Sequence, residues 1–261
     1  MKSLTRSKQH FLENLYYKLN KLAIGDVETS VFGSTMLTLL TDNLSVDELA
    51  EMPLEELSQY LNEKGRGRFA DPEQLAKSIQ KAVRGSYRLS SLVQDSIDVI
   101  LSVYVTEIRA FEKQIKVLEK AIRDLMNIID ESKILQSIPG IGPVYAAGII
   151  AEIGQIERFA DQAKLAKYAG LTWKQNQSGS FNGDITPMTH SGDGYLRYYL
   201  IEADNTVRIY DPTFKRFYES KLSDAKRTPH KRAISLTARK LMRVIDVLLR
   251  NHQIYIREEL V

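Results

Sequence analysis

The sequence predicts a mainly α-helical protein, and three observations lead to that class. Apolar residues recur every three and four positions over long stretches, which is the spacing of one face of an α-helix. Helix-start patterns such as Ser45-Val-Asp-Glu48 and Asp71-Pro72 precede such stretches, and no convincing strand occurs in the first half. The expected domains are a helical region at 1–95, a coiled-coil helix at 96–133, a helical C-terminal domain at 134–250 and a tail at 251–261.

The N-terminal region is expected to contain three successive helices. The first covers residues 3–22, where Phe11, Leu15, Leu19 and Leu22 form an apolar face. The capping box of Ser45 and Glu48 opens a second helix that runs to about Lys64, before Gly65 and Gly67. The third begins after Asp71, which is placed as the N-cap with Pro72 at the first helical position.

The long helix is expected to be a coiled coil, because its apolar seam continues for more than four heptads. Ile at the a positions and Leu at the d positions favour a parallel, two-stranded coil and therefore a homo-oligomer. The alternative is that this seam packs against an earlier helix of the same chain. The seam consists of Ile97, Leu101, Tyr104, Ile108, Phe111, Ile115, Leu118, Ile122, Leu125 and Ile129.

The stretch Ser137–Gly154 reads as two short helices joined by the turn Pro139-Gly140-Ile141-Gly142, a pattern that resembles a helix-hairpin-helix motif. Two glycines one residue apart allow a tight turn and leave backbone N–H groups uncovered at the start of the second helix. Such N–H groups and the helix dipole suit a phosphate oxygen. The alternative is a glycine-rich helix–helix turn with no ligand.

Three further helices are expected in the C-terminal domain, at Asp161–Ala169, from Tyr195 to about Val207, and from Thr228-Pro229 to about Arg250. A long loop over residues 172–194 separates the first two, and loops of this length are usually functional or disordered. The last helix has an apolar stripe made of Ile234, Ala238, Leu241, Ile245 and Leu248. Its other face carries the cations Arg232, Arg239, Arg243 and Arg250, which either contact phosphates or are simply solvated.

Composition excludes several functional classes. The chain has 261 residues, no cysteine and a formal net charge of +3. Residues 1–133 hold 18 Lys/Arg and 20 Asp/Glu, whereas residues 134–261 hold 18 and 13, so the positive charge lies in the half with the glycine turn. Four histidines lie far apart, which argues against a histidine-built metal site. The absence of cysteine excludes disulfides and thiolate zinc sites, and it makes the reducing cytoplasm the expected compartment. No stretch resembles a membrane span or a signal peptide.

The residues of the long loop do not by themselves define a reaction. Ser178-Gly179, Ser180 and Ser191-Gly192 place hydroxyl groups beside glycines, but such pairs are ordinary in loops. Arg197 follows the loop and has the fork geometry that pairs with phosphate, with a surface salt bridge as the alternative. No Walker motif occurs, which argues against nucleotide hydrolysis.

Four motifs, taken in order, resemble the C-terminal domain of the insertion-sequence "one-ten" transposases, which are DEDD/serine recombinases related to the Piv invertases. These are Ile138-Pro-Gly-Ile-Gly-Pro143, Ala169-Gly-Leu-Thr172, Gln177-Ser-Gly179 and Ser191-Gly-Asp-Gly-Tyr-Leu-Arg197. The preceding coiled coil also matches that family. The resemblance covers about residues 1–250 and is strongest over 134–250.

The resemblance implies that Ser178 is the nucleophile that attacks a DNA phosphate and forms a covalent phosphoserine link. Family members also carry an N-terminal RuvC-like domain whose four acidic residues bind a divalent metal, expected to be Mg²⁺, and this chain begins where that domain ends. The resemblance therefore implies an N-terminally truncated member without its own metal site. A guide (bridge) RNA encoded by the element is a further implied partner.

Three functions follow as hypotheses. The first is a transposase region that binds DNA and joins to it through Ser178, with Ser180 as the alternative register. The second is a non-catalytic, nucleic-acid-binding coiled-coil dimer, and the third is a structural coiled-coil scaffold. The expected nucleic-acid contacts are Gly140, Gly142, Lys174, Arg197, Arg232, Arg239 and Arg243.

Overall fold

A computed structural model describes residues 1–25, 27, 29–42, 45–174, 177–178, 181–182, 187–189, 191–225 and 227–257. For residues 177–178 and 181–182 the description covers the backbone. The chain forms two compact units, Met1–Val117 and Leu118–Val261. Both units consist mainly of helices, so the predicted fold class is confirmed.

The first unit contains seven helices within the described residues. The capping box is confirmed, because the Glu48 N–H donates to Ser45 Oγ at 3.1 Å and the Ser45 N–H donates to Glu48 Oε2 at 2.7 Å. Asp71 caps the next predicted helix by accepting the Gln74 N–H at 2.8 Å. The helices are α1 Lys2–Lys18, α2 Asn20–Ala23, α3 Ser34–Thr41, α4 Val46–Glu51, α5 Leu54–Gly65, α6 Pro72–Arg84 and α7 Ser91–Met126.

Two predicted helices of this unit are each divided in two. The first is interrupted at Leu19, whose φ of −142° is not helical, although its side chain continues the apolar face. The second stops at Met52, because Pro53 has no N–H and favours an extended preceding residue. Helix α3 was not predicted, and its Met36, Leu37, Leu39 and Leu40 all enter the core.

Helix α1 packs against α7 in an antiparallel direction. Two contacts show this, because residue numbers rise along α7 as they fall along α1. Lys18 Nζ lies 2.6 Å from Asp98 Oδ1, and Ser7 Oγ donates to Glu107 Oε2 at 2.8 Å. Phe11 and Leu15 of α1 are fully buried in the same core as Leu101 of α7.

The predicted coiled-coil seam is therefore divided. Its first part packs inside the chain, since Ile97, Leu101 and Ile108 belong to the core of the first unit, and for these residues the intramolecular alternative is correct. Farther along α7, Leu118 and Leu125 are 62% and 53% exposed. The helix also ends at Met126, before Ile129. Self-association stays a prediction for the second part of the seam.

The second unit is organised around two long helices. Its elements are α8 Asp130–Gln136, α9 Pro143–Ile153, a 3-10 turn Ile156–Arg158, α10 Gln162–Tyr168, β1 Gln177–Ser178, β2 Phe181–Asn182, α11 Gly194–Tyr210, α12 Pro212–Ser223 and α13 Pro229–Asn251. Helix α11 packs against α9, α12 and α13. The predicted apolar stripe of α13 is confirmed, because all five of its residues are buried.

Helix α12 was not predicted, although its start has a recognisable signal. Asp211 precedes Pro212 as Asp71 precedes Pro72, and its Oδ1 accepts the Thr213 and Phe214 N–H groups. The second oxygen of Asp211 accepts the Tyr255 hydroxyl at 2.9 Å. The beginning of the predicted tail is therefore attached to the second unit.

Candidate functional site

The glycine turn lies between α8 and α9, as the sequence predicts. Gly140 has a φ of +97°, a conformation that only glycine adopts without strain. A Cβ at this position would lie 2.8 Å from the Val207 backbone nitrogen. Gly140 therefore allows the turn to pack directly on the backbone of α11, which is a structural reason for this glycine.

Gly142 has a different environment from Gly140. It is the N-cap of α9, with Pro143 at the first helical position and no side-chain cap. A Cβ built at Gly142 would have nothing within 4 Å, so there is room for a side chain at this position. A helix N-terminus without a side-chain cap suits an anion. The phosphate contact at Gly140 and Gly142 stays a prediction.

The described residues of the long loop form an antiparallel hairpin, whereas the sequence predicts a loop without secondary structure. Thr172–Lys174 pairs with Pro187–Thr189, and these six residues are called the hairpin root. The Thr189 N–H donates to the Thr172 carbonyl at 2.8 Å, and the Lys174 N–H donates to the Pro187 carbonyl at 3.0 Å. The Thr172 and Thr189 hydroxyl oxygens lie 2.9 Å apart.

Beyond the root, β1 and β2 pair antiparallel, with Ser178 opposite Phe181. The backbone of the predicted nucleophile therefore belongs to a strand of this hairpin. The side chain of Ser178 and the whole of Ser180 lie outside the described residues. The nucleophile and its alternative register remain predictions.

The backbones around Gly170 and Gly192 lie against each other at the base of the loop, and this contact is called the glycine junction. The Asp193 N–H donates to the Tyr168 carbonyl at 2.6 Å, which joins two of the four sequence motifs. Gly192 has a φ of +126°, and a Cβ there would lie 2.8 Å from the Lys167 carbonyl oxygen and nearer still to that of Tyr168. The motifs therefore require glycine because one backbone lies directly on another.

Arg197 lies at this junction. Its Nη1 donates to the Ala169 carbonyl at 3.2 Å, and Asp193 caps α11 by accepting the Leu196 N–H. The guanidinium also lies against Gly170, where a side chain would collide with it. Arg197 thus helps to hold the base of the loop, and its contact with phosphate stays a prediction.

The cations of α13 have different surroundings. Arg239 Nη1 donates to the Leu171 carbonyl at 2.7 Å, and its guanidinium lies 5.6 Å from the centre of the Trp173 ring. Burial, with a smaller contribution from Arg243, lowers the pKa of Arg239. Arg250 is held by Asp246 and by the Phe159 carbonyl. Arg232 and Arg243 are exposed, as is Lys174.

A buried carboxyl group that the sequence did not single out lies on α11. Asp204 is fully buried, and neither of its oxygens has a hydrogen-bond partner among the described residues. Burial raises the pKa of Asp204 to about 8, against the opposing effects of Arg208 and Lys240. The sequence does contain a signal for its burial, because Asp204 shares the inner face of the helix with Leu200 and Val207.

The described residues do not form a metal-binding cluster. No group of three or more His, Asp or Glu side chains among them is arranged to hold a metal ion. None of the described helices has both the length and the apolar character needed to cross a membrane.

The fold and the site together define a mainly helical protein that combines a helix-hairpin-helix-like turn with exposed cations on a later helix. Both features also occur in proteins that bind nucleic acid. Residues 132–219 match the family model described as the transposase IS116/IS110/IS902 family. This match confirms, for these residues, the resemblance to the one-ten transposases.

Several curated proteins are similar to this chain. An uncharacterized 44.8 kDa protein of insertion element IS116 from Streptomyces clavuligerus is 24% identical over 229 residues, which are 84% of this chain and 53% of the relative. An uncharacterized 42 kDa protein of insertion element IS900 from Mycobacterium paratuberculosis is 28% identical over 158 residues, 58% of this chain and 39% of the relative.

A pilin gene-inverting protein from Moraxella bovis is 27% identical over 166 residues, which are 61% of this chain and 51% of the relative. The chain thus spans about half or less of the length of these three relatives. The names of these relatives connect them with insertion elements and with the inversion of a pilin gene.

Proposed function

We propose that this chain is the part of an insertion-sequence transposase that binds DNA and supplies the serine nucleophile, Ser178. The observation that carries the proposal is the glycine junction at the base of the loop. It brings together the motifs at 169–172 and 191–197, within the matched region, and so fixes where the chain of the Ser178 hairpin leaves and re-enters the helical core.

The proposed reaction is a transesterification. Ser178 Oγ attacks a DNA phosphorus atom, a new P–Oγ bond forms, and the bond between phosphorus and one deoxyribose oxygen breaks. The departing oxygen takes up a proton in place of the one that the hydroxyl loses, so the number of phosphate ester bonds is conserved. A serine hydroxyl attacks phosphate slowly unless other groups assist it. Arg197, at the base of the loop, is the proposed cation for the charge that develops on the phosphate.

DNA binding is proposed to occur through the phosphate backbone. The N-terminus of α9 at Gly142, which has no side-chain cap, and the exposed side chains of Lys174, Arg232 and Arg243 support this proposal. Arg239 stays a predicted phosphate contact, although one of its nitrogens is already used by Leu171. A guide RNA encoded by the element is also proposed as a partner, on the family resemblance alone.

A second candidate function is a non-catalytic DNA-binding dimer. It is favoured by the exposure of Leu118 and Leu125, two of the apolar residues in the second part of the seam. Such a dimer would bind DNA and would not become joined to it, so a covalent adduct distinguishes the two candidates.

The test is the trapping of a covalent adduct between the chain and a labelled DNA duplex that carries an end of the mobile element. The chain alone is expected to bind the duplex and to join to it slowly or not at all, because the carboxylates that bind metal in the family are not grouped in its described residues. A matching acidic N-terminal domain and Mg²⁺, added in trans, are expected to restore the adduct.

Two serine variants complete this experiment. Ser178→Ala is expected to abolish the restored adduct and to leave DNA binding unchanged, whereas Ser180→Ala is the matched control and should form the adduct normally. An adduct that persists in Ser178→Ala but is lost in Ser180→Ala would assign the nucleophile to Ser180. Loss in neither variant would contradict the proposed nucleophile.

A further inference from the structure

We propose that Arg239 is a positioning residue for the Ser178 nucleophile: it holds the hairpin root against α13 and thereby sets where the strand that carries Ser178 lies. The inference rests on the function proposed above, because it assigns a role within that reaction. It gives Arg239 a role distinct from the phosphate contact that the sequence predicts.

The first support is the pair of contacts that a single guanidinium makes. Arg239 Nη1 donates to the Leu171 carbonyl at 2.7 Å, and the guanidinium carbon lies 5.6 Å from the centre of the Trp173 ring. Leu171 precedes the hairpin root by one residue and Trp173 belongs to it. Arg239 therefore contacts the chain on both sides of Thr172, the residue that pairs with Thr189.

The second support is the rigidity of the helix from which Arg239 extends. Its neighbours Ala238, Leu241 and Met242 are buried in the core of the second unit, and Leu171 is fully buried as well. The hydrogen bond from Arg239 to Leu171 joins residues 68 positions apart in the sequence, and it thus attaches the root to the core. Glycines at the junction allow close packing but provide no side chain of their own, so Arg239 supplies an interaction that the glycines lack.

The third support is the chemistry of the side chain. A guanidinium group is planar, so it can stack on an aromatic ring while one of its N–H groups donates in its own plane. A lysine ammonium keeps the charge and can donate hydrogen bonds but has no flat face. Arginine therefore suits the contact with Trp173 better than lysine does, and Arg239→Lys should weaken it without removing the positive charge.

Trp173 provides a direct spectroscopic measurement, because it is the single tryptophan in the sequence. In the full chain, Arg239→Lys and Arg239→Gln are expected to increase quenching of Trp173 fluorescence by acrylamide by roughly twofold, since a root that is no longer held opens more often. Arg216→Lys and Arg216→Gln are the matched controls, on α12 and exposed, and should leave the quenching unchanged.

The second readout separates positioning from binding. With the acidic N-terminal domain and Mg²⁺ supplied as above, Arg239→Lys is expected to form the adduct at least about tenfold more slowly, because small displacements of a reacting group have large effects on rate. Its affinity for the duplex at fixed salt should stay within about twofold of the unsubstituted chain, because the charge is retained. Arg216→Lys should change neither quantity.

The outcomes distinguish this inference from the proposed function. If the unsubstituted chain forms no Ser178-dependent adduct, the proposed function is wrong. If it forms the adduct and Arg239→Lys forms it equally fast, or Trp173 quenching is unchanged in both Arg239 variants, only the role of Arg239 is overturned. A slower adduct accompanied by an equal loss of DNA affinity and of thermal stability would also overturn it, because the effect would then be a general loss of structure.

Discussion

At the scale of single residues, the glycines divide into positions where a side chain cannot fit and positions where it can. Gly192 has a positive φ and lies against the carbonyl oxygens of Lys167 and Tyr168. Gly142 has a φ of −87° and open space where a Cβ would be. Both are glycines of sequence motifs, yet only the first is required by packing in the described structure.

Gly192→Ala is expected to reduce the free energy of unfolding by about 3 kcal/mol, because it combines a strained φ with a clash against backbone atoms. Gly142→Ala is the control and should cost less than about 1 kcal/mol, the usual difference at an N-cap. Urea unfolding followed by circular dichroism measures both. Equal losses in the two variants would show that the glycine junction is not as tight as described.

Asp204 leads to a prediction about pH. Burial raises its pKa to about 8 in the folded chain, above the value of 3.8 for an unperturbed carboxyl. The unfolded chain therefore releases this proton at lower pH, and the free energy of unfolding falls as pH rises from about 4 to about 8, then levels off.

Asp204→Asn should remove that dependence. The free energy of unfolding of the variant, relative to the unsubstituted chain, is expected to rise by up to about 1.4 kcal/mol per pH unit between pH 5 and pH 7. The comparison uses the slope with pH, because a buried amide has its own cost that does not change with pH. Parallel stability curves for the two proteins would contradict a raised pKa at Asp204.

At the scale of elements, helix starts were predicted well because their signals are local. Ser45 with Glu48, and Asp71 with Pro72, cap the helices that they were expected to cap. The break at Leu19 had no such signal, because its side chain fits the apolar face on both sides of the break. The contact between Arg239 and Leu171 could not be predicted either, since it depends on how α13 packs beside a segment 68 residues away.

The second part of the α7 seam is the element expected to cause self-association. Changing Ile115 and Ile122 to Asp should convert a dimer into a monomer in sedimentation, because charges at a positions disrupt a coiled coil. The control is Lys113→Gln with Lys120→Gln, which changes the net charge equally but lies outside the seam. If the unsubstituted chain is already monomeric at tens of micromolar, its association free energy is weaker than about −6 kcal/mol, and this prediction is contradicted.

The exposed cations of α13 lead to a prediction about salt. Replacing Arg232 and Arg243 with Gln should flatten the slope of log affinity against log salt by about 0.9 for each lost contact on duplex DNA. Lys77→Gln, which removes a charge paired with Glu73 in the first unit, is the control and should leave the slope unchanged. An unchanged slope in the Arg variants would mean that these cations are only solvated.

At the scale of the whole molecule, the two units differ in the charge that they offer to DNA. The excess of basic residues lies in 134–261, the half that contains the family match. In the first unit, a groove of about 680 Å³ is lined by Leu40, Val99 and Val103 together with carboxylates, namely those of Asp42, Asp95, Asp98 and Glu107. A groove with this lining repels a phosphate backbone, so DNA contact is expected in the second unit.

Hydrogen exchange on the full chain, with and without a DNA duplex, tests this division of roles. Added protection is expected around Gly142, at the hairpin root and along the exposed side of α13, and it should disappear at high salt because the contacts are electrostatic. Helices α3 and α6 of the first unit should exchange at the same rate in both samples. Salt-sensitive protection that is confined to the first unit would contradict this prediction, because DNA would then bind to the first unit. It would also remove the basis for placing Lys174, Arg232 and Arg243 at the phosphates.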